Sequence, residues 1–432
     1  MKTLAVAALL ASCGLPSGQI PPTGSAQTVA LGDRSRDALT RPDWALSGDG
    51  QLLVVATRQP LLAADQNGLR DVYVLDRRSG RLTLETPGAN GQPSDGESSQ
   101  PDISADGRVI VFVSTARNLT STVLDTGATG LYARDRQTGI TSFVASHASA
   151  PALSDDGDSI AYETTGPCGT SAPQPTVAPR ICLARRDGDT RVLVSSRPDG
   201  PGSAGQSVSP AIDATGTRVV FTATAFSTPA GTTGGTPAHI YLCDLRAGIT
   251  TRVSSAPDDT VANAPSYHPA ISADGRFVAF ASDATNLTRQ LRPTRAQIYL
   301  HDTLTRTTTL VSRTPAGRPG NGASIRPVLS RDGTRIAFQT LASDLVHCDP
   351  CGRIGPDVNL LWDVIVQDVG ASSVVPITRE FDTVTGSHGV VMDAAGTFLA
   401  YASRHPRDAS DVSEDADLFV VPWPATAPPR TR

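Results

Sequence analysis

From residue 27 onward the hydrophobic positions come in short runs separated by tight polar turns, and nowhere do they recur at helical spacing. The stretch from Pro269 to Ser282 shows the unit. Ala273-Asp274-Gly275 supplies a turn, because Asp bonds its own backbone and Gly takes positive φ without a Cβ clash. Phe277-Val278-Ala279-Phe280 then reads apolar on both faces, which predicts a strand covered on both sides.

This unit recurs along the whole chain. Its turn glycines are Gly50, Gly107, Gly157, Gly216, Gly275, Gly333 and Gly396, between 50 and 63 residues apart. Six positions before the glycine stand Trp44, Pro101, Pro151, Pro210, Pro269, Pro327 and Val390; five positions after it stand Val55, Phe112, Tyr162, Phe221, Phe280, Phe338 and Tyr401. A third apolar strand follows in each unit, as in Asp71 to Asp76 or Gln297 to Asp302, and a short turn leads to a fourth, as in Ile249 to Ser254. Such a unit cannot bury both its faces alone, and radial stacking of neighbours does it. The expected fold is therefore all-β: a seven-bladed β-propeller of four-stranded antiparallel blades, with the aromatic after each turn filling the space between blades. Blade seven has a third strand at Asp417 to Val421 but prolines where its fourth would lie. Residues 27–31 are expected to pair there, so that an N-terminal strand closes the ring.

The signature Pro-x-Ile-Ser-x-Asp-Gly, complete in Pro101 to Gly107 and Pro269 to Gly275, resembles the repeat of the TolB-like, WD-like propeller family. The resemblance spans about Ala26 to Trp423 and extends past the second strand to Ser114–Thr120, Ser282–Thr288 and Ala342–Leu345. TolB itself carries six blades and an N-terminal α/β domain, whereas this chain counts seven units.

Ahead of the repeats, Lys2, the apolar run Leu4 to Ala11 and Leu10-Ala-Ser-Cys13-Gly14 resemble a bacterial lipoprotein signal with its lipobox. The run is too short to span a bilayer. The resemblance implies lipidation at Cys13 and, with Gly14 following, delivery to the outer membrane; a plain secretory signal with an incidental cysteine is the alternative. The domain reading is a signal peptide at 1–12, a tether at 13–26 carrying Pro16, Pro21 and Pro22, the propeller at 27–423 and a disordered tail at 424–432. The expected location is the bacterial cell envelope, on the periplasmic or surface side of a membrane.

Charge and chemistry change this picture little. The net charge is −5, the arginines are scattered, and Lys2 is the last lysine, so no nucleic-acid groove is expected. There is no Gly-x-Ser-x-Gly elbow, His-Glu-x-x-His helix or glycine-rich phosphate loop, and the seven histidines are dispersed. In an oxidising compartment Cys168 and Cys182 would close a blade-three insertion and Cys348 and Cys351 a small blade-six loop, leaving Cys243 as a buried thiol. A redox role for Cys348-Asp-Pro-Cys351 would call for a βαβ pattern that the chain lacks. Three loops end in acidic spacing: Asp65, Asn67 and Asp71; Asp357, Asn359 and Asp363; Asp411, Ser413 and Asp417. Oxygens so spaced could serve Ca²⁺, but three per loop is few against the six to eight it takes, and the same residues make Asx-turns. No cofactor is expected.

Topology places the tight turns on one face and the long loops, such as Thr164–Pro179, Thr222–Ala238, Gln339–Trp362 and Ser403–Ala416, on the other. Around the channel mouth on the long-loop face the expected candidates are Gln100, Ser209, Tyr267, His268, Arg326 and His388. The expected function is a monomeric, lipid-anchored binding scaffold that recognises an envelope protein or peptide through this face. An envelope polysaccharide lyase or hydrolase with its site at the mouth is the alternative.

Overall fold

The structure, a computed structural model, describes residues 27–30, 42–89, 91–121, 127–168, 178–186, 190–195, 205–224, 237–289, 292–345, 361–370, 375–377, 386–403 and 417–423. Its strands form seven four-stranded antiparallel sheets, six of them in sequence order from the inner strand outward, and the described residues include no helix. Blade five is typical, with strands Ser266–Ile271, Phe277–Ser282, Gln297–Asp302 and Thr307–Leu310. Blade seven takes three strands from the C-terminal end of the propeller and its fourth from Gln27–Ala30, which pairs with Asp417–Val420 in the register Gln27↔Val420 to Ala30↔Asp417. The ring is closed by the N-terminal strand, as the prolines after Val421 require.

The turn signature explains itself atom by atom. In blade two Ser104 Oγ donates to Asp106 at 2.6 Å and accepts the Val109 N–H at 2.9 Å, while Asp106 accepts the Arg108 N–H at 2.9 Å. Blades four and seven replace the serine with Asp213 and Asp393, and those carboxylates accept the same strand N–H, from Arg218 at 3.0 Å and Phe398 at 2.9 Å. Gly107 has φ of 72°, as the turn demands.

Burial is organised by pairs of blades. Seven hydrophobic clusters each join two neighbours, from Val54, Ile110 and Phe112 between blades one and two to Val55, Tyr73, Ala400 and Leu418 between seven and one. The second-strand aromatics Phe112, Tyr162, Phe221, Phe280 and Phe338 are fully buried, each contributing about 1.5–3 kcal/mol by leaving water. A half-buried ion triad adds a polar joint between blades one and two: Glu85 meets Arg134 Nε and Arg136 Nε, both at 3.0 Å.

Candidate functional site

The inner strands of all seven blades enclose a cavity of about 560 Å³ on the propeller axis. Each inner strand from blade two to blade seven breaks its register against the second strand, with two residues set against one, as between Ser99 and Asp102 or between Tyr267 and Ala270. These are β-bulges, and the first extra residue is left-handed in every one: Gln100 (φ 52°), Ala150 (48°), Ser209 (56°), His268 (54°), Arg326 (54°) and Gly389 (70°). Left-handed backbone is costly for residues with a side chain, and more so ahead of proline. All six residues line the cavity.

Three of the bulge amides donate to the preceding blade. Asp43 accepts the Gln100 N–H at 2.8 Å and is itself held by Arg70 at 2.7 Å. Gln100 Oε1 then accepts the Ala150 N–H at 2.7 Å. Ala150 has no acceptor to pass on, and Glu163 from the second strand of blade three takes over, accepting the Ser209 N–H at 2.7 Å. Asp102 accepts the Leu153 N–H one tier lower, at 2.8 Å.

The turn end of the axis is closed. The residue two before each turn glycine donates its N–H to the same residue of the next blade: Gly48 to Ala105, Ala105 to Asp155, Asp155 to Ala214, Ala214 to Ala273, Ala273 to Arg331, Arg331 to Ala394 and Ala394 to Gly48, at 2.7–3.1 Å. This ring of seven bonds is bridged by an ion pair between Asp155 of blade three and Arg331 of blade six. Burial lowers the Arg331 pKa, with Asp102 acting in the opposite direction. The cavity therefore has a floor at the turn face and a mouth at the loop face. Its walls carry Asp102 and Glu163 on blades two and three, His268, Arg326 and Arg331 on blades five and six, and Asp393 on blade seven.

Of the six residues expected at the mouth, Gln100, Ser209, His268 and Arg326 stand on the cavity wall. Tyr267 and His388 do not. Tyr267 packs against the core between blades five and six, edge-on to His268 with ring centroids 5.1 Å apart; its hydroxyl lies 3.4 Å from Asp283, and burial first, then that carboxylate, push its pKa to about 12. His388 lies beside Trp44 at 6.4 Å. The repeat itself separates the two groups: the wall residues lie seven before the turn glycine, Tyr267 and His388 eight. The same count would have found Asp43, Ala150 and Gly389, whereas Glu163 and the floor pair had no such signal.

The acidic loop of blade one is built as turns. Asp65 Oδ1 accepts the Asn67 N–H at 3.3 Å and Asn67 Oδ1 that of Leu69 at 2.8 Å; Asp71 receives Thr86 Oγ1 at 2.6 Å and Asn67 Nδ2 at 2.8 Å, and Asp65 the Tyr73 hydroxyl. Burial raises the Asp71 pKa above the ordinary carboxylate value. Among the described residues no three His, Cys, Asp or Glu side chains converge on one point. Asp357, Asn359, Asp411 and Ser413 lie outside the described residues, as do Cys13, Cys348 and Cys351. Cys168 and Cys182 are joined in a disulfide with Cα atoms 6.0 Å apart, and Cys243 is a buried free thiol.

Fold and site together define a seven-bladed propeller with an axial cavity that opens at the loop face and carries both acidic and basic residues on its walls. No protein-family model matches the sequence, and no curated protein sequence matches it. Solved structures do match in fold. The β-propeller domain of the Trilobed protease from Pyrococcus furiosus is 10% identical with a TM-score of 0.53, over 88% of this chain and 94% of that one. An oligogalacturonate lyase from Vibrio parahaemolyticus is 13% identical with a TM-score of 0.51, over 92% and 96%. TolB from Acinetobacter baumannii also aligns, 17% identical over 86% of this chain and 80% of that one, with a TM-score of 0.40. These likenesses concern architecture, and propellers host many activities on one frame.

Proposed function

We propose that the protein is a binding scaffold of the cell envelope, anchored through lipid on Cys13, that recognises a protein or peptide partner at the cavity mouth on its loop face. One observation carries this reading. His268 and Arg326 keep large polar side chains at left-handed positions on the cavity wall, while the equivalent position of blade seven is Gly389. Glycine serves the bulge there, so the bulge alone does not call for a side chain, whereas in blade two Gln100 uses its side chain to hold the next blade's amide. Residues held against backbone preference cluster at ligand sites, and arginine is a frequent interface anchor. The test is recovery of partners from envelope extract by the wild-type chain and by the double variant His268→Gly, Arg326→Gly. A partner recovered by the first and lost by the second supports the scaffold; identical recovery by both removes this face from the account. A second reading, an envelope polysaccharide lyase or hydrolase, draws on His268 and Glu163 sharing one cavity, since imidazole and carboxylate are common proton-transfer groups. Cleavage of a polysaccharide by the wild-type chain, with no partner recovered, would replace the scaffold by that enzyme.

A further inference from the structure

We propose that the cavity takes the carboxyl-terminal end of a peptide chain, with the terminal carboxylate on Arg326 and His268 and the last side chain directed down the axis. This rests on the reading that the loop face binds a protein or peptide, and it specifies which part of the partner is bound. The closed floor is the first reason. Seven backbone hydrogen bonds and the Asp155–Arg331 pair seal the turn end, so an extended chain cannot thread the propeller. Only an end, or a side chain, can be taken in.

The distribution of charge is the second reason. Arg326 and His268 come from adjacent blades and stand one tier above Pro269 and Pro327, on the mouth side of the cavity. A guanidinium presents a planar fork that matches a carboxylate. Arg331, deeper down, faces Asp155 and Asp102 at the floor. Across the cavity Glu163 uses one oxygen for the Ser209 N–H at 2.7 Å and the other for Ser149 Oγ at 3.3 Å. A carboxylate has about four acceptor sites, which leaves capacity for peptide N–H groups. Gln100 accepts with its oxygen, and its amide nitrogen can donate to a peptide carbonyl. A carboxylate at the end of a chain of N–H and C=O groups complements both walls. Below this tier the lining mixes Ile103, Ile271 and Leu329 with Asp102 and Arg331, which suits an uncharged final side chain. The volume lies within the range of roughly 300–1,000 Å³ usual for ligand pockets.

The test uses mixed-sequence N-acetylated tetrapeptides in two forms, free acid and carboxyl-terminal amide, passed over the immobilised full chain and quantified by mass spectrometry. The expected result is retention of the acids at least about tenfold above the amides, corresponding to one RT ln 10 step, with the preference abolished in Arg326→Gly and in His268→Gly. Glycine is the residue most at ease at those backbone angles, and a melting curve for each variant checks its fold. Equal retention of acids and amides, both lost in the variants, overturns the chain-end assignment while leaving peptide binding at this face intact. Retention of neither form also overturns it. If envelope extract then yields no partner that depends on His268 and Arg326, the scaffold reading falls with it.

Discussion

Replacing Arg326 by glycine and by alanine should reverse the usual order of stability. At an ordinary strand position alanine is better than glycine by ~0.5–1 kcal/mol, because glycine loses more freedom on folding. Arg326 has φ of 54°, where any residue with a Cβ bears about 1–2 kcal/mol of steric cost that glycine escapes. Setting that relief against the entropy of glycine leaves Arg326→Gly more stable than Arg326→Ala by ~0.5–1 kcal/mol. Both variants lack the guanidinium, so its own contacts cancel in the comparison. The same reversal is expected at Ser209 and His268, whose φ values are 56° and 54°. Val208, which pairs with Thr222 just before the bulge, should keep the usual order, with Val208→Ala above Val208→Gly. Denaturant unfolding is the assay of choice, since in a chain this long 1 kcal/mol moves the melting temperature by only about 1 °C. An alanine variant more stable than the glycine variant at Arg326 would refute the strain argument, and with it the reason for reading these side chains as retained for binding.

Other parts of the architecture make separate predictions. Glu85→Gln should destabilise the fold by ~1–3 kcal/mol in denaturant titration, because it removes the charge that the half-buried Arg134 and Arg136 share at the joint; a loss under about 0.5 kcal/mol would show that the triad contributes little. Deleting residues 14–33 removes four cross-strand pairs of blade seven and should lower stability by up to ~4 kcal/mol, visible as a lower melting temperature; an unchanged value would contradict the latch. Asp135 and Asp302 are held at about 2, chiefly by hydrogen bonds from Arg108 and Arg276, against an ordinary value of 3.8. Their contribution is present above about pH 4 and lost as pH falls through 2, so a melting curve of Arg108→Gln and Arg276→Gln together should show a shallower decline over that window. His239 behaves in the opposite chemical sense: burial, then Arg252, lowers its pKa from 6.5 to about 4, so the unfolded chain takes the proton first and stability falls as pH drops from 6.5 to 4. His239→Phe should flatten the melting profile in that interval.

Much of this molecule can be read from its sequence, and the limits have physical causes. The turn signature is local chemistry, in which a serine or aspartate serves the following strand and a glycine turns the corner, so seven copies reveal seven blades. The latch follows from prolines that cannot donate to a sheet, and the structure closes blade seven with Gln27–Ala30. The wall of the cavity was legible only in part. A bulge sets two residues against one and breaks the alternation of the strand, which is why Tyr267 and His268 are neighbours in sequence while only His268 stands on the wall. The floor was not legible at all: Asp155 and Arg331 meet because blades three and six belong to one closed ring, and nothing local to either residue signals it. Glu163 is a similar case, an acceptor from a second strand that serves where Ala150 cannot.

The central claim is that Arg326 and His268 are kept for binding at the cavity mouth rather than for folding. The most direct measurement is a side-by-side comparison of the wild-type chain with His268→Gly, Arg326→Gly, following unfolding in denaturant and recovery of partners from envelope extract. The account predicts a variant that still unfolds cooperatively as a folded propeller and no longer recovers the partner. A variant that recovers every protein the wild type does would contradict it.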